Sequence, residues 1–529
     1  MEGIAILLAA AAVGHVVALR LHLPAAPLLI VFGFLIGRFD FVSFDLLENA
    51  LVLGTTFLLF ATGIELDPGR VRAQRGAAIR VGLLQFFTLG AAGFLASLAL
   101  GFSRMGSIYL ALALTASSTL VVVGLLQRRG RFFEPTARLV IGVLLLQDLL
   151  VVLVVPALTR LPDGWLAVLA GSLGSLFLVF VAWVMVRRLA PFLARLERDD
   201  EALLLSALAI LFIFTGLAAA LRLPVVVGAF LAGVSLARFP INGIVRPQLD
   251  SIADFFTAIF FTALGAVISP GVPELLRATV LAALVIVCTP PLVALIAERS
   301  GFSSRAALES GLLLAQTSEM SLVVGLYGLL GGQIAQDTFT VIALVTVMTM
   351  VLTPFIATDR LAWWLLRFHP SRRAIDVQPM SGHVLLLGAG TTGMPLLETI
   401  LAADQAVLAV DDDPAVIGRL RDADVPCLRG EAADPQVLRG ASADRARIIS
   451  STIRRPEDNR RLLEIARGVP VLVRVFDLED ARWVRELGGT PVVYSEAAAE
   501  GLLRWYERER DRLRARRRVS SSTDPGARP

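Results

Sequence analysis

The 529 residues are 56% hydrophobic with a mean hydropathy of +0.73, and the apolar excess lies almost wholly before residue 380. The net charge of +4 gives little support to a nucleic-acid partner, because residues 381–529 hold 23 Arg against 23 Asp plus Glu and the excess falls in the apolar part. Two cysteines, Cys288 and Cys427, exclude a disulfide framework and a cysteine metal site.

The apolar run starting at Gly3 lacks a basic n-region and an A-x-A-like cleavage site, so it reads as a membrane helix rather than a signal peptide. Windows of roughly 20 apolar residues, the length that crosses a ~30 Å core, divide the chain up to residue 370 into about thirteen segments. They start near residues 3, 24, 48, 76, 106, 134, 164, 200, 223, 251, 275, 306 and 336. The second, Pro24 to Gly37, is short enough to be re-entrant, but the charge pattern requires it as a crossing. With the N-terminus outside, one set of loops holds 21 Arg and the opposite set only Arg38, Arg104, Arg160, Arg222 and Arg277. That asymmetry places the C-terminal part in the cytosol.

Two stretches about 200 residues apart repeat in the same order. Leu23–Phe39 resembles Leu223–Phe239; FLLFATGIELDPG (Phe57–Gly69) parallels FFTALGAVISPG (Phe260–Gly271); SSTLVVVG (Ser117–Gly124) parallels SEMSLVVG (Ser318–Gly325). Segments 2 and 9 are an odd number of crossings apart, so the copies run through the membrane in opposite senses, as in secondary transporters. Ser117-Ser118-Thr119 and Ser318-Glu319-Met320-Ser321 occupy equivalent places, and their hydroxyls compete with helical backbone bonding, which predicts two broken helices.

Among the acidic residues of the membrane part, Asp148, next to Gln147, and Glu319 stand away from the expected interfaces. An ionised carboxylate at such depth needs a polar cavity, so both are candidate ion-site residues. Beside broken helix ends, Asp148 could hold either a proton or a bare cation, which is the competition that antiport requires. Glu65 and Asp67, before Pro68, read as interfacial caps, and His15 and His22 as packing or interfacial residues.

The segments FLLFATGIELDP, LLLQDLLVVLVVP, LPVVVGAFLAGVSLA, FFTALG and AQTSEMSLVVG, the last similar to a GQxxEF signature, together resemble the monovalent cation/proton antiporters with a Kef-like C-terminal domain. These include the glutathione-gated potassium efflux systems. The resemblance covers roughly residues 1–500. It implies a sodium/proton-antiporter-like helical fold with two crossed discontinuous helices and Asp148 as the transported-ion carboxylate. Gln147 then stands where sodium-type relatives have Asp or Asn. It also implies that Ser117, Ser118 and Thr119, with Gln316, Ser318 and Glu319, form the two unwound stretches. One carboxylate favours electroneutral exchange and K⁺ over Na⁺; a sodium/proton antiporter of the same fold is the alternative. A homodimer is implied in which a core slides against a scaffold, in a bacterial inner membrane, with an ancillary subunit conceivable. Segment 11, LVIVCTPPLVALI, lacks the Lys or Arg that many relatives carry there. A gated channel would call for a TVGYG-like filter, and the sequence has none. A membrane-tethered sensor that does not transport is opposed by Asp148 and the repeat.

After a linker at 371–381, His383–Gly388 is a short apolar strand running into Gly388-Ala389-Gly390-Thr391-Thr392-Gly393 and a helix, with a second strand, Ala406–Val410, leading to Asp411 and Asp412. This is the dinucleotide-binding pattern, with glycines for phosphate approach and a carboxylate for the ribose. Further strands are expected near Val425–Leu428, Arg447–Ser451 and Pro470–Val475. Residues 382–500 resemble the ligand-gating module called KTN or RCK, with Gly430-Glu431-Ala432-Ala433 in place of its GDAT-like turn. The resemblance implies NAD(H) or AMP as regulatory ligand. Thr391 replaces the Arg of glutathione-gated members, and no catalytic acid, base or nucleophile accompanies the fingerprint, so no enzyme is expected. Arg504–Arg518 reads as a solvated helix and Ser520–Pro529 as disordered.

Overall fold

The computed structural model describes residues 2–21, 24–39, 42–65, 75–129, 135–188, 200–237, 241–366, 380–390, 392–466 and 468–522. His22, Asp67, Pro68, Thr391 and the tail from residue 523 lie outside the described residues. The chain divides into two compact units, Met1–Ser300 with Ala306–Leu366, and Gly301–Arg305 with Arg367–Pro529.

The first unit is helical. In chain order it contains α1 (Glu2–Leu21), α2 (Ala25–Gly37), α3 (Phe44–Glu65), α4 (Arg75–Ala99), α5 (Arg104–Ala113), α6 (Thr119–Arg128), α7 (Pro135–Thr159) and α8 (Trp165–Arg188). It continues with α9 (Asp200–Ala220), α10 (Val225–Leu236), α11 (Ile241–Val267), α12 (Val272–Arg299), α13 (Ser304–Leu314, of which Ser304 and Arg305 belong to the second unit), α14 (Glu319–Leu330), α15 (Gln336–Ile356) and α16 (Asp359–Leu366). Among the described residues, nine helical stretches are long and apolar enough to cross a membrane, and α2, α6, α10 and the last part of α11 are shorter apolar helices. The expected fifth and twelfth segments are each broken, at 114–118 and at 315–318.

The repeat is visible in the packing. α2 lies on α11, and their repeat mates α10 and α3 lie on each other. In a membrane, helices associate by close backbone approach at small residues rather than by burying apolar surface from water. Here a Cβ added to Gly33 would stand 1.9 Å from the Thr262 carbonyl oxygen, and one on Gly265 would stand 2.0 Å from that of Ile30. In the second pair, a Cβ on Gly233 would lie 2.1 Å from the Phe60 oxygen and one on Gly63 would lie 2.2 Å from the Phe230 oxygen. Each residue of the first contact has its counterpart about 200 positions away in the second, so one backbone contact has been used twice. These helices, with α1 and α9, make one bundle. A second consists of α4, α5, α7, α12, α14 and α15, with α6 on α7, and α8 packs on α7 and α10.

In the second unit, six parallel strands lie in the order β3-β2-β1-β4-β5-β6. They are β1 (Val384–Leu387), β2 (Val407–Asp411), β3 (Cys427–Arg429), β4 (Ile448–Ser451), β5 (Val471–Val475) and β6 (Thr490–Val493). The first five fall where β-branched and leucine runs placed them; β6 is additional, a short TPVV edge too brief to show a period. The connecting helices are α17 (Gly393–Ala402), α18 (Pro414–Asp422), α19 (Pro435–Gly440), α20 (Pro456–Ile465) and α21 (Leu478–Glu486), with α22 (Tyr494–Ser522) closing the chain. Ser520–Ser522, expected in a disordered tail, are the last turn of α22. The order reverses between β1 and β4, which makes the carboxyl ends of those strands the place for a ligand.

Gly265→Val forces a side chain into the Ile30 backbone, whereas at Gly216 an added Cβ meets nothing within 4 Å. Overpacking of this kind costs about 1–3 kcal/mol. We expect Gly265→Val to lower the melting temperature of the detergent-solubilised protein, with Gly216→Val close to wild type.

Candidate functional site

The two broken helices cross, and each repairs the other's free backbone. Ser117 Oγ donates to the carbonyl of Leu314, the last residue of α13, at 2.9 Å. Reciprocally, Ser321 Oγ donates to the carbonyl of Ala113, the last residue of α5. Gln316 Nε2 reaches the Ser118 carbonyl at 3.4 Å. On the far side of each break a serine caps the new helix: Ser118 Oγ accepts from the Val121 N–H at 3.3 Å and Ser318 Oγ from the Met320 N–H at 3.1 Å. Thr317, in the second break, is tied to α15 through the Thr346 and Thr349 hydroxyls, each at 3.1 Å.

The unbroken helix α7 carries Gln147 and Asp148 to this crossing. Gln147 Oε1 accepts from the Ser117 N–H at 3.0 Å, and Asp148 Oδ2 accepts from the Thr119 hydroxyl at 3.2 Å. All eight residues singled out in the sequence, Ser117, Ser118, Thr119, Gln147, Asp148, Gln316, Ser318 and Glu319, are buried, with Asp148 1% exposed. Hydrogen bonds join Ser117 to Gln147, Thr119 to Asp148 and Gln316 to Ser118. Four side-chain atoms in this set, Gln147 Nε2, Asp148 Oδ1, Gln316 Oε1 and Glu319 Oε2, have no partner among the described residues. Unpaired polar atoms at this depth cost several kcal/mol each unless water or an ion meets them. Such a set can bind a small cation or a proton.

In the second unit, Gly388 has φ +86°, and an added Cβ on Gly393 would lie 1.9 Å from the Gly388 carbonyl oxygen, so the turn from β1 into α17 admits only glycine at both places. At Gly390 nothing among the described residues lies within 4 Å of an added Cβ, which leaves the loop backbone open to a ligand. Thr392 is the N-cap of α17. Asp411, at the end of β2, accepts from the Ala389 N–H at 2.7 Å and from the Asp413 N–H at 2.9 Å. Its carboxylate thus holds the glycine loop in shape; burial raises its pKa, and the N–H bonds oppose that rise. Asp412, next along, is half-buried. Glu431 follows β3; Ser303 Oγ donates to it at 3.0 Å, and Arg305, of the same compact unit, lies 3.6 Å away. Its side chain is 21% exposed, yet burial and the nearby Asp412 push its pKa up to about 8, against the pull of Arg305.

Sequence reasoning missed Thr452 and Arg474. Thr452 Oγ1 donates to the Gly388 carbonyl at 2.7 Å, and Arg474 donates to the Thr452 carbonyl at 2.7 Å. Both flank the β1–β4 switch point; a threonine directly after a buried strand is the only sequence signal, and it is a weak one.

An apolar helical unit built on paired broken helices and a parallel-sheet unit with a glycine turn at its switch point define a polytopic membrane protein carrying a Rossmann-like domain. The family model for the transmembrane sodium/hydrogen exchangers matches residues 4–362, and that for the TrkA-N domain matches residues 384–495. The chain belongs to the sodium/hydrogen exchanger family and carries a TrkA-N domain. It is similar to the glutathione-regulated potassium-efflux system protein KefC of Enterobacter sp. (strain 638), 26% identical over 505 residues that cover 91% of this chain and 80% of that protein. It is 25% identical over 344 residues to the K(+)/H(+) antiporter subunit KhtU of Bacillus subtilis (strain 168), covering 61% of this chain and 84% of that one. Among solved structures it resembles the TrkA-N domain of the inner membrane protein ybaL from Escherichia coli, 22% identical over 24% of this chain and 97% of that one, with a TM-score of 0.23.

The raised Glu431 value has a measurable sign. A glutamate of the unfolded chain titrates near 4.5, whereas the folded one holds its proton up to about 8. The folded state therefore binds the extra proton in between, and the stability this confers is full below the unfolded value and is lost as pH rises through 8. Thermal unfolding of the full chain should show a midpoint that falls between about pH 4.5 and 8, and Glu431→Gln should flatten that fall.

Proposed function

We propose that the chain is a secondary antiporter that exchanges a monovalent cation, K⁺ favoured, for H⁺ through Asp148, under control of an adenine nucleotide bound by the TrkA-N domain. The observation that carries the reading is Asp148 itself: 1% exposed, one oxygen held by Thr119, the other without a partner among the described residues, at the crossing of two broken helices. A bare cation beside that carboxylate would replace its water shell with oxygens of Ser117, Ser118, Thr119, Gln316, Ser318 and Glu319. A proton on Asp148 removes the charge that holds the cation, so the two exclude each other. Replacement of one proton on Asp148 by one monovalent cation is electroneutral, and Gln147, being neutral, adds no second charge beside it. The names of KefC and KhtU, which specify potassium, favour K⁺ over Na⁺.

The boundaries of this reading are 1–370 for the exchanger, 371–381 for a linker, 382–500 for the regulatory domain and 501–529 for the arginine-rich helix and tail. The protein works as a homodimer in a bacterial inner membrane, N-terminus outside and TrkA-N domain in the cytosol, with an ancillary subunit an open addition. The glycine contacts that tie α2 to α11 and α3 to α10 support a rigid scaffold against which the helices around Asp148 move. Residues that would hold the nucleotide are Gly388, Gly390, Thr391, Thr392 and Gly393 at the phosphates and Asp411, Asp412 and Glu431 beside the ribose and base. Such a ligand supplies a regulatory signal and no reaction, and NAD(H) and AMP both suit the site. The open backbone at Gly390 supports the fit.

In proteoliposomes with an imposed pH gradient, wild type should release the gradient on addition of K⁺, and Asp148→Asn should show no exchange. Proton flux that still depends on K⁺ in the variant sinks the assigned role. Asp411→Ala, which frees the Ala389 N–H and loosens the glycine loop, should weaken adenine-nucleotide binding about tenfold or more by calorimetry. Equal affinity would take Asp411 out of the site.

A further inference from the structure

β5 is apolar apart from Arg474. Val471, Val473 and Val475 join the core that contains Leu387, Leu438 and Leu462, so strand alternation sends Arg474 to the opposite face of the sheet. Leu397 of α17 packs on that face with Val384 and Leu386. Arg474 thus shares a face with the helix that the glycine turn opens, and two bonds bring it to that turn. It donates to the Thr452 carbonyl at 2.7 Å, and Thr452 Oγ1 donates in turn to the Gly388 carbonyl at 2.7 Å. The same Oγ1 stands 3.4 Å from an added Cβ on Gly393, the first residue of α17.

The guanidinium is short of counter-charge. Its Cζ lies 4.9 Å from the centroid of the Phe476 ring and its Nε is buried without a partner among the described residues, while the residue as a whole is partly exposed. Among the described residues neither Arg474 nor the exposed Arg454 forms an ion pair with a carboxylate. Burial, and after it the charge of Arg454, lower the Arg474 pKa from the ordinary arginine value, while Tyr494 draws it the other way. Two unneutralised arginines beside a helix N-terminus suit an anion.

The width of the sheet bears on which anion. Asp411 and Asp412 follow β2, and Arg474 is on β5, three strand positions away, about 14 Å at the ordinary strand spacing. A nucleotide with its ribose at the β2 carboxylates brings its first phosphate to the glycine turn after β1, where the N–H groups of the α17 start meet it. Negative charge that continues from there towards β4 and β5 is what the guanidinium is placed to meet.

We propose that Arg474, backed by Arg454, is a specificity residue of the nucleotide site, selecting adenine nucleotides that carry a pyrophosphate, the chemistry shared by ADP and NAD(H), over AMP. The inference rests on the nucleotide reading of the TrkA-N domain and narrows its ligand.

Calorimetry on the full chain in detergent, with AMP, ADP and NAD⁺ titrated separately at one ionic strength, tests it. ADP, NAD⁺ or both should bind about tenfold or more tighter than AMP, and the pattern tells a free diphosphate from a dinucleotide. Arg474→Gln should bring that ratio close to one, and Arg474→Lys, which keeps the charge and loses the planar fork, should retain part of it. A guanidinium that served only to hold Thr452 would weaken all three ligands in proportion and leave the ratio unchanged, which overturns the proposal. So does a wild type that binds AMP as tightly as the other two, whether or not Arg474→Gln folds. If none of the three binds, the nucleotide reading itself falls and the inference with it.

Discussion

Two backbone carbonyls, those of Ala113 and Leu314, set the terms for the membrane unit. A helix interrupted inside a bilayer leaves its last carbonyls without partners, and lipid supplies none. The chain solves this by crossing two interruptions, so that Ser321 serves Ala113 and Ser117 serves Leu314. Each break thus supplies a partner to the other. Because the bonds are reciprocal, they also fix where the two half-helices begin again, at Thr119 and Glu319, and therefore where the polar centre of the unit lies.

That reciprocity requires the two repeats to be held at a fixed offset, and the glycines supply it. Gly33 against Thr262 and Gly233 against Phe60 are the same contact in the two halves, as are Gly265 against Ile30 and Gly63 against Phe230. Backbone set directly on backbone leaves no side-chain rotamers to adjust, so α2, α3, α10 and α11 form a stiff frame. Asp148 is on α7, in the other bundle, where Gly82 meets the side chain of Leu146.

Much of this was legible in the sequence. The repeat offset, the hydroxyl runs at Ser117 and Ser318 and the isolated Asp148 are patterns of residue type and spacing, and those survive translation into three dimensions. The strands of the TrkA-N domain were equally plain, because fully buried parallel strands are continuous apolar runs. What stayed hidden depends on partners far away in the chain. Ser321 and Ala113 are 208 residues apart, and Thr452 meets Gly388 across 64. β6 is too short to show a period, and Ser520–Ser522 continue a helix that composition alone would have ended earlier.

The missing basic residue of segment 11 also finds a physical answer at the crossing. α6 and α14 both begin there, and a helix N-terminus carries roughly half a positive charge from its aligned peptide dipoles. Thr119, the first residue of α6, donates directly to Asp148, so the positive end of that helix is placed against the carboxylate. Gln316, one residue before the Thr317–Ser318 turn into α14, bonds to the Ser118 carbonyl, which brings the second N-terminus to the same crossing. Dipoles compensate a carboxylate without adding a proton of their own to the balance. A lysine in that place would itself compete for protons with the carboxylate; two helix ends and the amide of Gln147 do not.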